Sequence, residues 1–94
     1  MKIRFYLDPE TKQPHIYQHG VNEGEVESVL KKPGEDRPGR EESRVAIGKT
    51  KAGRYLRVIY VPDPVPDSIF VITAYDLKGK PFKAYKLRKR RKLK

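Results

Sequence analysis

RVAIGKTKAGRYLRVIYVPDPVPDSIFVITAY, residues 44–75, holds three apolar runs at 44–48, 54–61 and 68–75. Each run is rich in Val, Ile, Tyr and Phe, side chains that suit a pleated, half-buried surface. Lys49–Gly53 separates the first two, and Pro62–Asp67, with three prolines and two aspartates, separates the last two. Proline lacks the N–H that a sheet ladder needs, so the second break lies outside the strands. Connections this short join antiparallel neighbours, because a parallel crossover takes a dozen or more residues. The stretch therefore predicts a three-stranded antiparallel meander. Leu56, Val58 and Tyr60 share one face of its middle strand, and Tyr55, Arg57, Ile59 and Val61 share the other. Arg57 is the odd member of an otherwise apolar set. The near-continuous run Ile69–Ile72 predicts a strand covered on both faces.

Toward the N-terminus, KIRFYL (2–7) alternates Ile3, Phe5 and Leu7 with Lys2, Arg4 and Tyr6. That is strand periodicity, and it adds a fourth strand at one edge. Pro14 opens a short helix that stops near Gly20. Asn22 with Glu25 forms a variant capping box, and Val21 with Val26 a hydrophobic staple. Val26, Val29 and Leu30 then make a helical stripe that ends at Pro33-Gly34. Residues 33–43, PGEDRPGREES, lack apolar side chains and predict an exposed loop.

Toward the C-terminus the charge changes. The chain carries 22 Lys and Arg against 12 Asp and Glu, a net +10. Ten of the cations and none of the acids fall within 78–94, so the rest of the chain is neutral. Pro81, Phe82 and Tyr85 suit one docked helical turn. Past Leu87 nearly every residue is cationic, and self-repulsion predicts a flexible tail over 88–94 behind a single domain of 1–87. A block of this kind is an electrostatic footprint for a polyanion, nucleic acid above all. If six of its cations met phosphates, affinity would fall roughly a thousandfold between low and moderate salt.

The absence of cysteine excludes a disulfide framework, a thiolate metal site and a cysteine nucleophile. Two histidines make a structural metal site improbable, and no cofactor is expected. No run approaches a membrane span, and the N-terminus lacks the apolar core of a signal peptide, so the expected compartment is the cytoplasm.

Several segments, in order, resemble the BrnT-type toxins and related domains of unknown function in the RelE/ParE toxin superfamily. Gln18-His19-Gly20-Val21 followed by Glu25-Val26 is similar to that family's K-H-G-V-(S/T)-x-x-(E/D)-(A/V) segment. Lys32-Pro33 is similar to its D-P. The paired runs Arg44–Gly48 and Gly53–Tyr60 resemble its R-x-x-x-(I/L)-G and G-R-x-L-x-V-(V/I)-Y strands. Ile72-Thr73-Ala74-Tyr75 resembles its I-(S/T)-A-R strand end, and Ala84-Tyr85 its late R-x-Y. The resemblance implies an α+β fold: an antiparallel sheet of about four strands, two N-terminal helices on one face, and a short basic C-terminal helix or tail. It also implies a metal-independent endoribonuclease toxin, in which the RNA 2′-OH attacks the adjacent phosphate, paired with an acidic antitoxin. The chain departs from the pattern at Tyr75, where the family has Arg, and at Gln18, where it has Lys. Both changes remove a cation from a phosphate clamp.

The residues singled out for catalysis are His19, Arg54, Arg57 and Tyr75. An imidazole titrates near working pH, guanidinium groups stabilise phosphate charge, and a phenol can stack on a base or donate a proton. Those singled out for nucleic-acid contact are Lys49, Lys86, Arg88, Lys89, Arg90 and Arg91, on RNA that is free or ribosome-associated. Two other readings stand beside this one. One is a non-catalytic RNA- or DNA-binding module on the same fold. The other is an interaction protein whose basic end docks on an acidic partner.

Overall fold

The computed structural model describes residues 2–92. Its centre is the meander: β3 (Arg44–Lys49), β4 (Tyr55–Pro62) and β5 (Ser68–Asp76), paired antiparallel in sequence order. The sheet has five strands rather than four, in the order β1-β5-β4-β3-β2, and it is mixed rather than antiparallel. β1 (Lys2–Phe5) lies at the expected edge but runs parallel to β5, with Ile3 opposite Ile69 and Phe5 opposite Val71. The chain between β1 and β5 contains both N-terminal helices and three strands, ample length for a parallel return.

The other edge, β2 (Glu35–Pro38), lies within the segment expected to be a loop. Its pairing with β3 comes from backbone hydrogen bonds, so its side chains need no apolar alternation. They carry polar contacts instead. Asp36 Oδ1 accepts from Arg44 Nε at 2.9 Å, and Asp36 Oδ2 accepts the Tyr60 hydroxyl at 2.6 Å. Burial, with that bond to Asp36, pushes the Tyr60 phenol up to about 12.

One sheet face carries the larger core. Ala46, Leu56, Val58, Tyr60, Val71 and Ala74 pack against Ile16, Val21, Val26 and Val29. Ile16 belongs to a 3-10 helix, His15–His19, which Gly20 closes at φ 68°, a left-handed conformation that favours glycine. α1 (Glu23–Lys31) follows. Asn22 Oδ1 accepts from the Glu25 amide at 2.8 Å, and Glu25 Oε1 accepts from the Asn22 amide at 3.0 Å, so the capping box forms as expected.

The opposite face holds a smaller core, where Val45, Ile47, Tyr55 and Ile59 meet Leu77, Phe82 and Tyr85. The last two side chains come from α2 (Gly79–Lys92), which makes the architecture helix–sheet–helix. α2 extends through residues expected to form a flexible tail. Arg88 Nε and Nη2 bond Glu35 at 2.7 and 2.8 Å, and Lys89 Nζ donates to the Gly34 carbonyl at 3.2 Å, anchoring the helix to β2. The tail's last two positions, 93 and 94, lie outside the described residues.

β5 is not covered evenly. Ile59 pairs with Thr73 and Tyr60 with Val71, so Ile72 is an extra residue in a bulge, and it stays 36% exposed. The bulge puts Val71 and Ala74 on the same buried face despite their odd spacing. It also leaves Thr73 and Tyr75 on the α2 face, together with Arg57 and Ile59.

Candidate functional site

α2 covers only part of its sheet face. Beside it lies a groove of about 570 Å³. The sheet contributes Val45, Arg57, Ile59 and Tyr75. The end of β2 and the turn after it contribute Arg37, Pro38, Gly39, Arg40 and Ser43. Among the described residues, three arginines and no carboxylate line the groove.

Arg57 and Tyr75 are direct cross-strand partners. Among the described residues the buried Arg57 Nε has no hydrogen-bond partner, nor does the buried hydroxyl of Thr73, two residues before Tyr75 on the same face. A buried polar atom left unsatisfied costs about 1–3 kcal/mol, so stability does not account for an arginine here. Arg37 is only loosely engaged, its Nε 3.6 Å from Glu35 Oε1.

His19, on the 3-10 helix, does not line the groove but meets the groove residue Tyr75. Its exposed ring stands edge-on to Tyr75, with centroids 5.9 Å apart. His15 is 5.3 Å from His19 in the same manner, and its Nδ1 lies 3.5 Å from Asp8 Oδ2. Among the described residues, neither the His19 imidazole nor the Tyr75 hydroxyl makes a hydrogen bond or ion pair, which leaves both groups available for proton transfer.

Arg54, selected from the sequence with these three, is placed differently. It does not line the groove. Its Nε donates to Asp76 Oδ1 at 2.5 Å and its Nη2 to Asp76 Oδ2 at 3.1 Å. Its Nη1 donates to Glu25 at 3.1 Å and to the Gly20 carbonyl at 2.8 Å. The hydrogen bond to Asp76 is the main reason its pKa is raised, and the reciprocal bond lowers that of Asp76. Arg54 ties the capping box of α1 to the end of β5.

The expected nucleic-acid contacts divide as well. Arg88 and Lys89 hold α2 to the sheet, as described above. Arg90 and Arg91 are exposed, and Lys49 and Lys86 are exposed over aromatic rings, at 5.8 Å from the Tyr55 centroid and 5.2 Å from that of Phe82. Sequence reasoning missed Arg37 and Arg40, which sat inside an apparently featureless loop. Their signal was the Pro-Gly between them, which turns the chain and brings both cations to one rim.

A second cavity, of about 450 Å³, lies between α1 and the β3–β4 turn. It mixes Glu25 and Glu27 with Lys31 and Lys51, and none of the sequence-selected residues lines it. Among the described residues, no helix is long and apolar enough to cross a membrane.

Residues 15–76 match the family described as Domain of unknown function (DUF4258), and the chain belongs to that family. The matched span runs from the 3-10 helix to the end of β5, so it includes His19, Arg57 and Tyr75. No curated protein and no solved structure matches the chain.

Proposed function

We propose that this protein is a metal-independent endoribonuclease of the toxin type, with the groove beside α2 holding the scissile phosphate. The observation that carries this reading is the half-buried Arg57, whose buried Nε has no partner among the described residues, beside Tyr75 in a groove lined by no described carboxylate. An anion would supply what the sheet withholds.

In this scheme the phosphate sits against Arg57, with Arg37 and Arg40 on the rim. Their fixed charges stabilise the phosphorane as negative charge accumulates. His19 takes the proton of the ribose 2′-OH, whose oxygen attacks the adjacent phosphorus. The P–O5′ bond breaks, and Tyr75 supplies a proton to the leaving oxygen. The products are a 2′,3′-cyclic phosphate and a 5′-OH. The exposed cations of α2 draw in the RNA, and the same helix offers a complementary surface to an acidic antitoxin.

The test is RNA cleavage in EDTA by wild type and by Arg57→Ala. Cleavage to 5′-OH ends by wild type, lost in the variant, supports the proposal. RNA that is bound, released by salt and left intact would instead support a non-catalytic RNA-binding module. The engagement of Arg54 and the presence of Tyr75 in place of a cation favour that second reading.

A further inference from the structure

Four rings run across the surface toward the groove. Tyr6, just past β1, stands 6.1 Å from His15, His15 stands 5.3 Å from His19, and His19 stands 5.9 Å from Tyr75. The backbone holds the first step in place, since the Tyr6 amide donates to Val71 O and the His15 amide to Tyr6 O, each at 2.9 Å. None of the four belongs to either apolar core. Tyr6 is 41% exposed, His19 is exposed, and His15 and Tyr75 are half-buried. Among the described residues the hydroxyls of Tyr6 and Tyr75 and the ring of His19 have no hydrogen-bond partner. Asp8 flanks the strip, beside His15 and bonded to the Gln18 amide.

The rings meet edge to face, contacts that are themselves modestly stabilising. Yet they lie outside both cores, and three of the four polar tips have no partner among the described residues. The rings form a strip that ends at Tyr75, where the cationic groove begins. We infer that this strip is a stacking track for the unpaired bases of single-stranded RNA, and that the substrate class is therefore single-stranded. The inference rests on the proposed function only for where the cleaved phosphate lies. Every base has a π-face, so such a track tolerates any sequence. A duplex keeps its bases stacked on one another and cannot present them. Asp8 lies where a phosphate would be repelled, which directs the backbone away from this strip and the bases toward it.

The experiment compares wild type, Tyr6→Ala, Tyr6→Phe, His15→Ala and Arg57→Ala for binding to RNA carrying 2-aminopurine. Probes are a dinucleotide, a single strand of about eight nucleotides, and the corresponding duplex. Tyr6→Ala and His15→Ala should each weaken binding of the longer single strand by roughly 5- to 150-fold, the range that one base–aromatic stack spans. They should leave dinucleotide binding, duplex binding and the salt slope unchanged. Tyr6→Phe keeps the ring and should bind as wild type does, with 2-aminopurine fluorescence quenched in both. Equal binding of the longer strand by wild type, Tyr6→Ala and His15→Ala would overturn the inference, and so would unquenched 2-aminopurine. Loss in Tyr6→Ala with wild-type binding and cleavage by Arg57→Ala would overturn the groove reading while leaving the track in place.

Discussion

Asp76 grips Arg54 through two hydrogen bonds, and the same guanidinium reaches Glu25 and the Gly20 carbonyl, joining three segments of the chain at one point. Such a group has no donor to spare for a phosphate. Arg54→Ala should therefore cost about 1–2 kcal/mol of stability, the scale of hydrogen bonds between partly exposed charged groups. Its rate of RNA cleavage should stay within a few-fold of wild type at a temperature where both are folded. Urea denaturation and a cleavage assay check the two halves separately.

The same pair sets a pH dependence. The bond from Arg54 holds Asp76 below its ordinary value of 3.8, so the folded state binds this proton less readily than the unfolded chain does. The stabilisation is present above about pH 4 and drains away as pH falls through the lowered folded value. Asp76→Asn should be less stable than wild type at pH 7, and the gap should close toward pH 2. A series of urea midpoints across that range would measure it. A gap that stays constant would deny the linkage.

Arg57 should behave in the opposite way to Arg54. Its Nε is buried and, among the described residues, unpartnered, so removing it relieves a desolvation penalty and leaves stability within about 1 kcal/mol of wild type. Cleavage or RNA affinity should fall at least tenfold. Wild-type activity in Arg57→Ala would remove the groove from consideration.

α2 combines anchoring and free cations on one helix. Arg88→Ala breaks the bidentate bond to Glu35 and should speed amide exchange throughout α2 while costing about 1–2 kcal/mol. Lys86→Ala, Arg90→Ala and Arg91→Ala combined should leave the fold intact. If these three side chains contact phosphates, the triple variant should lower the slope of log affinity against log salt by about 2.

Gly34 is where α2 meets the sheet edge. A Cβ built there overlaps the Tyr85 hydroxyl, so Gly34→Ala should push Tyr85 out of the smaller core. The expected cost is about 1–3 kcal/mol, the range for overpacking. Gly34→Ala combined with Tyr85→Phe should recover part of it, as thermal melts of the three variants would show.

Local chemistry makes much of this protein readable from its sequence. Period-two alternation defined β4 and both of its faces, and apolar runs marked β3 and β5, although the bulge at Ile72 that sets the faces of β5 left no sign in its continuous apolar run. The Asn22–Glu25 box marked the start of α1, because both partners lie within one helical turn. Arg57 stood out as a charge on an apolar strand face. Other features depend on contacts between distant parts of the chain, and those carry no local pattern. β2 is held by the backbone of β3, so its charged side chains gave no sign of a strand. β1 can run parallel to β5 because more than sixty residues separate the two, and no turn chemistry near β1 sets its direction. The cationic end continues as helix because Glu35, fifty-three residues earlier, meets Arg88. Arg54 and Arg57 belong to one run of the sequence, and both suit a phosphate clamp. Only the packed structure separates them, because Asp76 and Glu25 converge on Arg54 and no described carboxylate lines the groove around Arg57.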